Sequence, residues 1–198
     1  YGTLEFSLRA RRGEYSLDAY QNVLNDPRFR ETFTYSTTLA VLTIIVAIVL
    51  IVPTAYWVHL RLPRVRPIVE FVTLMPFVIP AIVLVFGLLR IYSRPPLALT
   101  NNDRTTDLLL VFGYVVLSLP YMYRAVDTGL RAIDVRTLTE AAQSLGAGWG
   151  TILWHIIFPN LRIALLSGAF LTFAIVIGEF TLASLLDRPA FGPYLQLI

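Results

Sequence analysis

Two carboxylates stand out by their surroundings. Glu179 is the only formal charge in the apolar run from Ile163 to Leu186, and Glu140 opens a small-residue stretch, Glu140-Ala141-Ala142, beside an amphipathic repeat. An ionisable side chain inside a membrane span costs about 2.5–3.5 kcal/mol on insertion scales and is normally turned towards protein or a water-filled path. Glu179 therefore has two readings. It is either a pathway residue that attracts a cationic solute, or a carboxylate near the aqueous end of its span or paired with an Arg of a neighbouring helix. Pro76 and Pro80 raise a parallel choice, because unwound backbone is tolerated at lipid depth only where it lines a cavity or is buried in protein. They mark either a broken helix at a translocation site or a packing kink.

Absent residue types exclude other chemistries. The sixteen basic residues are all Arg, and there is no Cys. Without Lys there is no phosphate-binding lysine for a P-loop and no Schiff base. Without Cys there are no disulfides, thiolate zinc sites or Cys nucleophiles. The two histidines, His59 and His155, lie far apart in the chain, which argues against a metal site. Gly146, Gly148 and Gly150 have no strand before them and do not form a dinucleotide fingerprint. No nucleophile and base are paired as an intramembrane hydrolase requires. The chain reads as non-catalytic, with no cofactor of its own.

The elements that must position these residues are membrane spans. Of the 198 residues, 56% are hydrophobic and only 15% charged, and the mean hydropathy is +0.66. A soluble domain carries about a quarter charged residues. The Arg residues sit between apolar runs, as loop charges of a membrane protein do, so nucleic acid is not an expected partner. A span needs about 20 mostly apolar residues, and four are expected over about 33–58, 71–89, 108–123 and 163–186. Pro53 predicts a kink in the first, Arg124 snorkels at the end of the third, and Gly168 and Gly178 offer close helix approach in the fourth. Residues 1–32 read as a solvated segment with a short helix from Leu17 to Leu24. Arg61, Arg64, Arg66, Arg124, Arg131, Arg136 and Arg162 fall on one side, against Arg90, Arg94 and Arg104 on the other. Discounting the charge-balanced N-terminal segment and Arg188, the first side is cytoplasmic. His59 belongs to a lipid-facing loop there, and Tyr121 and Tyr123 to an aromatic belt.

Between the third and fourth spans lies a segment over about 134–159. Leu138, Ala142, Leu145, Trp149, Ile152 and Ile156 recur at helical spacing and form one apolar stripe. The glycines at 146, 148 and 150 predict two short helices joined by a bend, and Thr137-Leu138-Thr139-Glu140 fits a capping box. Trp149, Trp154 and His155 read as packing or interfacial residues. Such a helix lies in the interface, packs on its own spans or docks into a partner's groove. The low bulk and lack of basic residues at Glu140-Ala141-Ala142 favour docking.

Glu140-Ala141-Ala142, three residues, Gly146, nine residues, Ile156, one residue and Phe158-Pro159 resemble the EAA motif of permease subunits of bacterial ABC importers. Phe158 stands where the family usually has Leu. Gln143-Ser144-Leu145-Gly146 is closer to the polyamine, ferric-iron, thiamine and sulfate branch than to the sugar permeases. The resemblance implies an all-α polytopic bundle of the type I importer kind with a cytoplasmic coupling helix, multi-pass in the bacterial cytoplasmic membrane. It also implies a second permease subunit, an ATPase dimer that carries the ATP and Mg, and an extracytoplasmic solute-binding protein. Glu140, Ala141, Ala142 and Gly146, with Ile156, Phe158 and Pro159, become the ATPase-coupling residues. Six spans are common in this branch, so the chain is expected to form a single permease domain lacking the first and last. Passage of a small solute by alternating access follows from the resemblance. Glu179 favours a polyamine-like cation over ferric iron, thiamine, an oxyanion or a phosphonate. The competing classes are an ATPase-independent secondary transporter or channel, and a membrane scaffold.

Overall fold

The structure, a computed structural model, describes residues 9–11 and 14–196. A short antiparallel pair, β1 (Arg9–Arg11) with β2 (Glu14–Tyr15), precedes an all-α bundle. The helices are α1 (Asp18–Asn25), α2 (Pro27–Arg61), α3 (Arg66–Val78), α4 (Ala81–Tyr92), α5 (Asp103–Arg131), α6 (Val135–Ser144), α7 (Trp149–Asn160), α8 (Arg162–Gly178), α9 (Thr181–Leu185) and α10 (Phe191–Leu195). The short helix expected from Leu17 to Leu24 is α1. The solvated segment expected to reach residue 32 lies partly outside the described residues and gives way to α2 at Pro27.

Helix α2 starts where its sequence allows: Asp26 accepts from the Arg28 amide at 2.8 Å, and Pro27, which has no N–H to lose, takes the first helical position. Its 35 residues reach about 52 Å, more than the ~30 Å hydrocarbon thickness. Pro53 remains inside the continuous helix. The packed face of α2 is small: Ser36, Ala40, Thr43, Ala47 and Ala55 are all buried. Small side chains let neighbouring helices approach where lipid supplies no hydrophobic drive for association.

Helix α5 is the hub, in contact with α2, α8 and α3. A Cβ added at Gly129 would lie 2.7 Å from Ala164 Cβ, and one at Gly168 would lie 2.7 Å from Met122 Sδ. Both are closer than real side chains pack, so α5 and α8 touch through these glycines. Gly168 behaves as the sequence predicts, whereas Gly178 has nothing near its missing Cβ.

Three span boundaries change. The run over 71–89 is α3 and α4, bent by 100° at Ile79 and Pro80. The short span expected over 108–123 is the middle of the 29-residue α5, whose Asn102 cap and charged ends extend it both ways. The run over 163–186 stops at Gly178, and α9 follows a break at Glu179 and Phe180. Among the described residues, two helices, α2 and α5, are long and apolar enough to cross a membrane alone, or up to four spans if each bent pair counts as one, the second pair being α7 and α8 at 76°. His59 lies in the last turn of α2, not in a loop. Tyr123, at 6% exposure, is core and not an exposed belt residue.

Ion pairs gather at the two ends of the bundle. At one end Arg188 binds Asp103 at 2.7 Å and Asp107 at 2.8 Å, while the Tyr35 hydroxyl donates to Asp107. At the other, Asp127 accepts from Arg66 at 2.6 Å and from Arg131 at 2.9 Å, and Glu70 binds the same two arginines. Asp127 is only 7% exposed and holds the start of α3 against the end of α5. Its removal leaves Arg66 and Arg131 with only Glu70 as an ion-pair partner among the described residues. Asp127→Ala should cost about 2 kcal/mol, below the usual 3–5 for a fully buried pair because Arg66 and Arg131 keep partial water contact. Thermal unfolding of the detergent-solubilised protein would register this as a lowered Tm, and an unchanged Tm would refute it.

Candidate functional site

The segment between α5 and α8 folds as two short helices with a bend, α6 and α7, as its sequence predicts. Its start differs from the expected capping box. Asp134 is the N-cap, accepting from the Thr137 amide at 3.1 Å and its hydroxyl at 2.7 Å, so α6 begins almost a turn earlier than Thr137. Glu140 does not reach back to a free amide. It accepts from Arg136, one turn before it, at 2.8 Å, with both side chains exposed. Spacing explains the miss: Asp134 to Thr137 is also a capping pattern, and the shorter Asp carboxylate took the role.

Gly146 ends α6 in the left-handed region, at φ 82°. Its amide donates to Gln143 O at 2.9 Å, and the Ala147 amide donates to Ala142 O at 3.0 Å. These two bonds form a Schellman cap, which satisfies the last carbonyls and turns the chain sharply. The predicted stripe is only partly inward. Ala142 and Ile152 are buried, Leu138 and Ile156 half-buried, and Trp149 is 38% exposed. Leu145 is corrected outright: at 88% exposure it points away from the bundle, because the Schellman turn swings it off the stripe. Beside it, Glu140, Ala141, Gln143 and Ser144 are exposed.

The segment is pinned to the end of α2. Tyr56 and Thr139 hydroxyls are 2.9 Å apart in the core, with Thr139 donating to Val135 O at 2.7 Å, so Tyr56 donates to Thr139. Trp149 meets Trp57 edge to face at 5.3 Å, and the Arg61 guanidinium lies 5.2 Å from the Trp149 ring, a cation–π contact. Within α7, residues Ile152–Ile157 widen to π-helix, and the Phe158 amide donates five residues back to Leu153 O. Pro159, exposed and lacking an N–H, follows that widened turn. The Phe158 and Trp154 rings meet at a tilt of 39° with centroids 5.2 Å apart, and both line a cavity of about 250 Å³ against Val52 and Pro53 of α2.

Glu179 lies away from this segment. At 9% exposure it sits in the break after α8, where its carboxylate accepts from the Leu182 amide at 2.9 and 3.0 Å and from the Ala183 amide at 3.3 Å. Gly192 of α10 passes so close to the Glu179 carbonyl that any side chain there would collide with it. Pro76 stays inside α3, while Pro80 precedes α4 at the bend. A groove of about 860 Å³ runs between α3, α5 and α8, lined by Leu74, Phe77, Tyr121, Arg124 and Thr128 among others. Neither Glu179 nor either proline lines it.

Replacing Gly146 by Ala forces a Cβ into a left-handed backbone, at a cost of about 1 kcal/mol. Gly146→Ala should raise amide hydrogen exchange over the last turn of α6 without altering α5. A second test concerns acid. Hydrogen bonds from the Thr137 side chain, then its backbone, hold the exposed Asp134 carboxyl below the usual aspartate range. Its stabilisation of α6 is complete above about pH 3.9, the unfolded value, and is lost as pH falls through the lower folded value. The protection of residues 135–139, taken against the intrinsic exchange rate at each pH, should therefore fall in strong acid, and Asp134→Asn should remove that dependence.

Residues 51–196 match the family described as the binding-protein-dependent transport system inner membrane component. A probable molybdenum ABC transporter permease protein of Haloferax volcanii is 32% identical over 149 residues, 74% of this chain and 55% of that protein. The spermidine/putrescine transport system permease protein PotB of Escherichia coli is 27% identical over 184 residues, 87% of this chain and 66% of that one. The ferric transport system permease protein FbpB of Actinobacillus pleuropneumoniae is 31% identical over 104 residues, 52% of this chain and 14% of that protein. The chain thus spans 55–66% of the length of the first two. With the α6–α7 segment inside the matched region, the chain belongs to the family of binding-protein-dependent transport system inner membrane components, the permease subunits of ABC importers.

Proposed function

We propose that this chain is the membrane-spanning part of an ATP-driven importer that passes a small charged solute into the cytoplasm by alternating access. In this reading it catalyses no reaction. ATP and Mg are held by a separate dimer of ATPase subunits, a second permease subunit completes the pathway, and an extracytoplasmic binding protein delivers the solute. The chain sits in the cytoplasmic membrane as a multi-pass protein.

One observation carries the reading: the face formed by Glu140, Ala141, Ser144 and Leu145 is exposed while the back of the same helix is fixed to α2 through Tyr56 and Thr139. A helix that leaves an apolar Leu at 88% exposure beside a carboxylate and small side chains offers a compact docking surface. Its rigid backing turns a push on that face into movement of α2, α5 and α8. The Arg136 pairing of Glu140 is solvent-exposed and worth only about 0.3–0.5 kcal/mol, so a basic group on an ATPase can compete for the carboxylate. Gly146, Ile156, Phe158 and Pro159 shape and seat the segment without presenting the contact face.

Two of the relatives above, matching 74% and 87% of the chain, are named for molybdenum and for spermidine/putrescine. Glu179, the basis for a polyamine-like cation, spends its oxygens on backbone amides at a helix break. A preference for polyamine therefore loses its residue.

The test is assembly with the cognate ATPase. Leu145→Asp and Glu140→Ala change exposed side chains and should leave the bundle folded. Each should weaken ATPase docking by about 30-fold, the effect of one interface anchor, seen as loss of co-purification and of solute-stimulated ATP hydrolysis. Full co-purification and full uptake by both variants would reject the assignment.

A further inference from the structure

Resting on the permease reading, we propose that the groove between α3, α5 and α8 selects an anionic solute, a small tetrahedral oxyanion, and that Arg124 is the specificity-determining residue. Tyr121, Arg124, Ala125 and Thr128 stand at i, i+3, i+4 and i+7 on α5, which places them on one face, and all four line the groove. Arg124 is exposed there, about two turns before the helix ends. Its guanidinium has no ion-pair partner among the described residues. Asp127, three residues on, is buried, and its oxygens are already taken by Arg66 and Arg131. No Asp or Glu lines the groove.

The donor set fits an oxyanion. A guanidinium offers a planar fork of N–H groups that matches two oxygens of a tetrahedral anion. The Tyr121 and Thr128 hydroxyls, without hydrogen-bond partners of their own among the described residues, can add donors from the same face. The remaining polar groups are less available, since the Asn160 amide donates to Ile156 O at 2.7 Å and the Ser167 hydroxyl to Ile163 O at 3.1 Å. Apolar walls from Leu74, Phe77, Ile163 and Leu171 lower the local dielectric and strengthen the guanidinium's field. A polyamine would meet like charge here, and a ferric ion would find no carboxylate.

The same oxygens occur in lipid phosphates, so the experiment separates the two sources. The complete importer, with its full-length permease, ATPase and binding protein, is reconstituted in vesicles of phosphatidylcholine alone or with phosphatidylglycerol, and ATP-dependent uptake of molybdate and spermidine is followed. We expect molybdate uptake in both vesicle types. Arg124→Gln should lower it at least about tenfold, Arg124→Lys, which keeps the charge but not the fork, should lower it less than Gln does, and Thr128→Val should also lower it less. ATPase co-purification should stay unchanged in all three. Spermidine uptake by the wild type, or unaltered molybdate uptake by Arg124→Gln, overturns the proposal. So does a defect confined to phosphatidylglycerol vesicles, which would assign Arg124 to a lipid phosphate. If the wild type docks its ATPase but carries only spermidine, anion selection fails and the permease reading stands. If it neither docks nor transports, both fail.

Discussion

In lipid, apolar side chains gain nothing by leaving their surroundings for one another, so helices hold together by close contact and matched polar groups. One such close contact lies where α5 meets α8, at Gly129 and Gly168. Helix α5 ends at Arg131, four residues before α6, and α8 starts at Arg162, two residues after α7. The α6–α7 segment is therefore strung between the adjoining ends of a helix pair packed through glycines. A side chain at Gly129 would press on Leu161 and Ala164, moving the point where the segment rejoins the bundle.

Charges obey the same economy. The ion pairs of Arg66, Glu70, Asp127 and Arg131, and of Arg188 with Asp103 and Asp107, occupy opposite ends and leave the middle of α2 and α5 apolar. Glu179 is the exception that shows the rule's cause. A chain break at membrane depth exposes backbone N–H groups that lipid cannot satisfy, and the carboxylate caps those of Leu182 and Ala183. Anions at a helix start are favoured by the aligned peptide dipoles as well as by direct hydrogen bonds. The residue whose rarity suggested transport chemistry has a sufficient structural role in closing that break.

Helix type and order were legible because apolar runs near 20 residues and a Gly-punctuated amphipathic repeat are long-range, redundant signals. Places where one side chain overrides the pattern were not. The end of the last apolar run at Gly178 depends on a Glu acting as a cap, which hydropathy scores only as an unfavourable charge. Leu145 belongs to the stripe by periodicity, yet the left-handed Gly146 ends the helix beside it and turns it outward. Asp134 was hidden behind a second, equally good capping pattern beginning at Thr137. Arg124 was readable as a snorkelling residue when the span was expected to stop at residue 123. Only the continuation of α5 to Arg131 places it on a groove wall inside the bundle.

Gly129 also links the two halves of the functional reading, since it lines the groove while packing on Leu161 and Ala164. The groove's far wall is α3, tied to the end of α5 by Arg66 and Asp127. A tilt of the α6–α7 segment would therefore reach the groove from two directions, through the α5–α8 contact and through the charged clamp on α3. Packed interiors move between discrete arrangements and do not deform smoothly, so such a tilt would reposition Arg124 relative to α3 and α8 as a step. On the proposed reading, an ATPase that prefers one arrangement would need no contact with the solute to change its path; it would need only a differential affinity for the two arrangements of the face that carries Leu145 and Glu140.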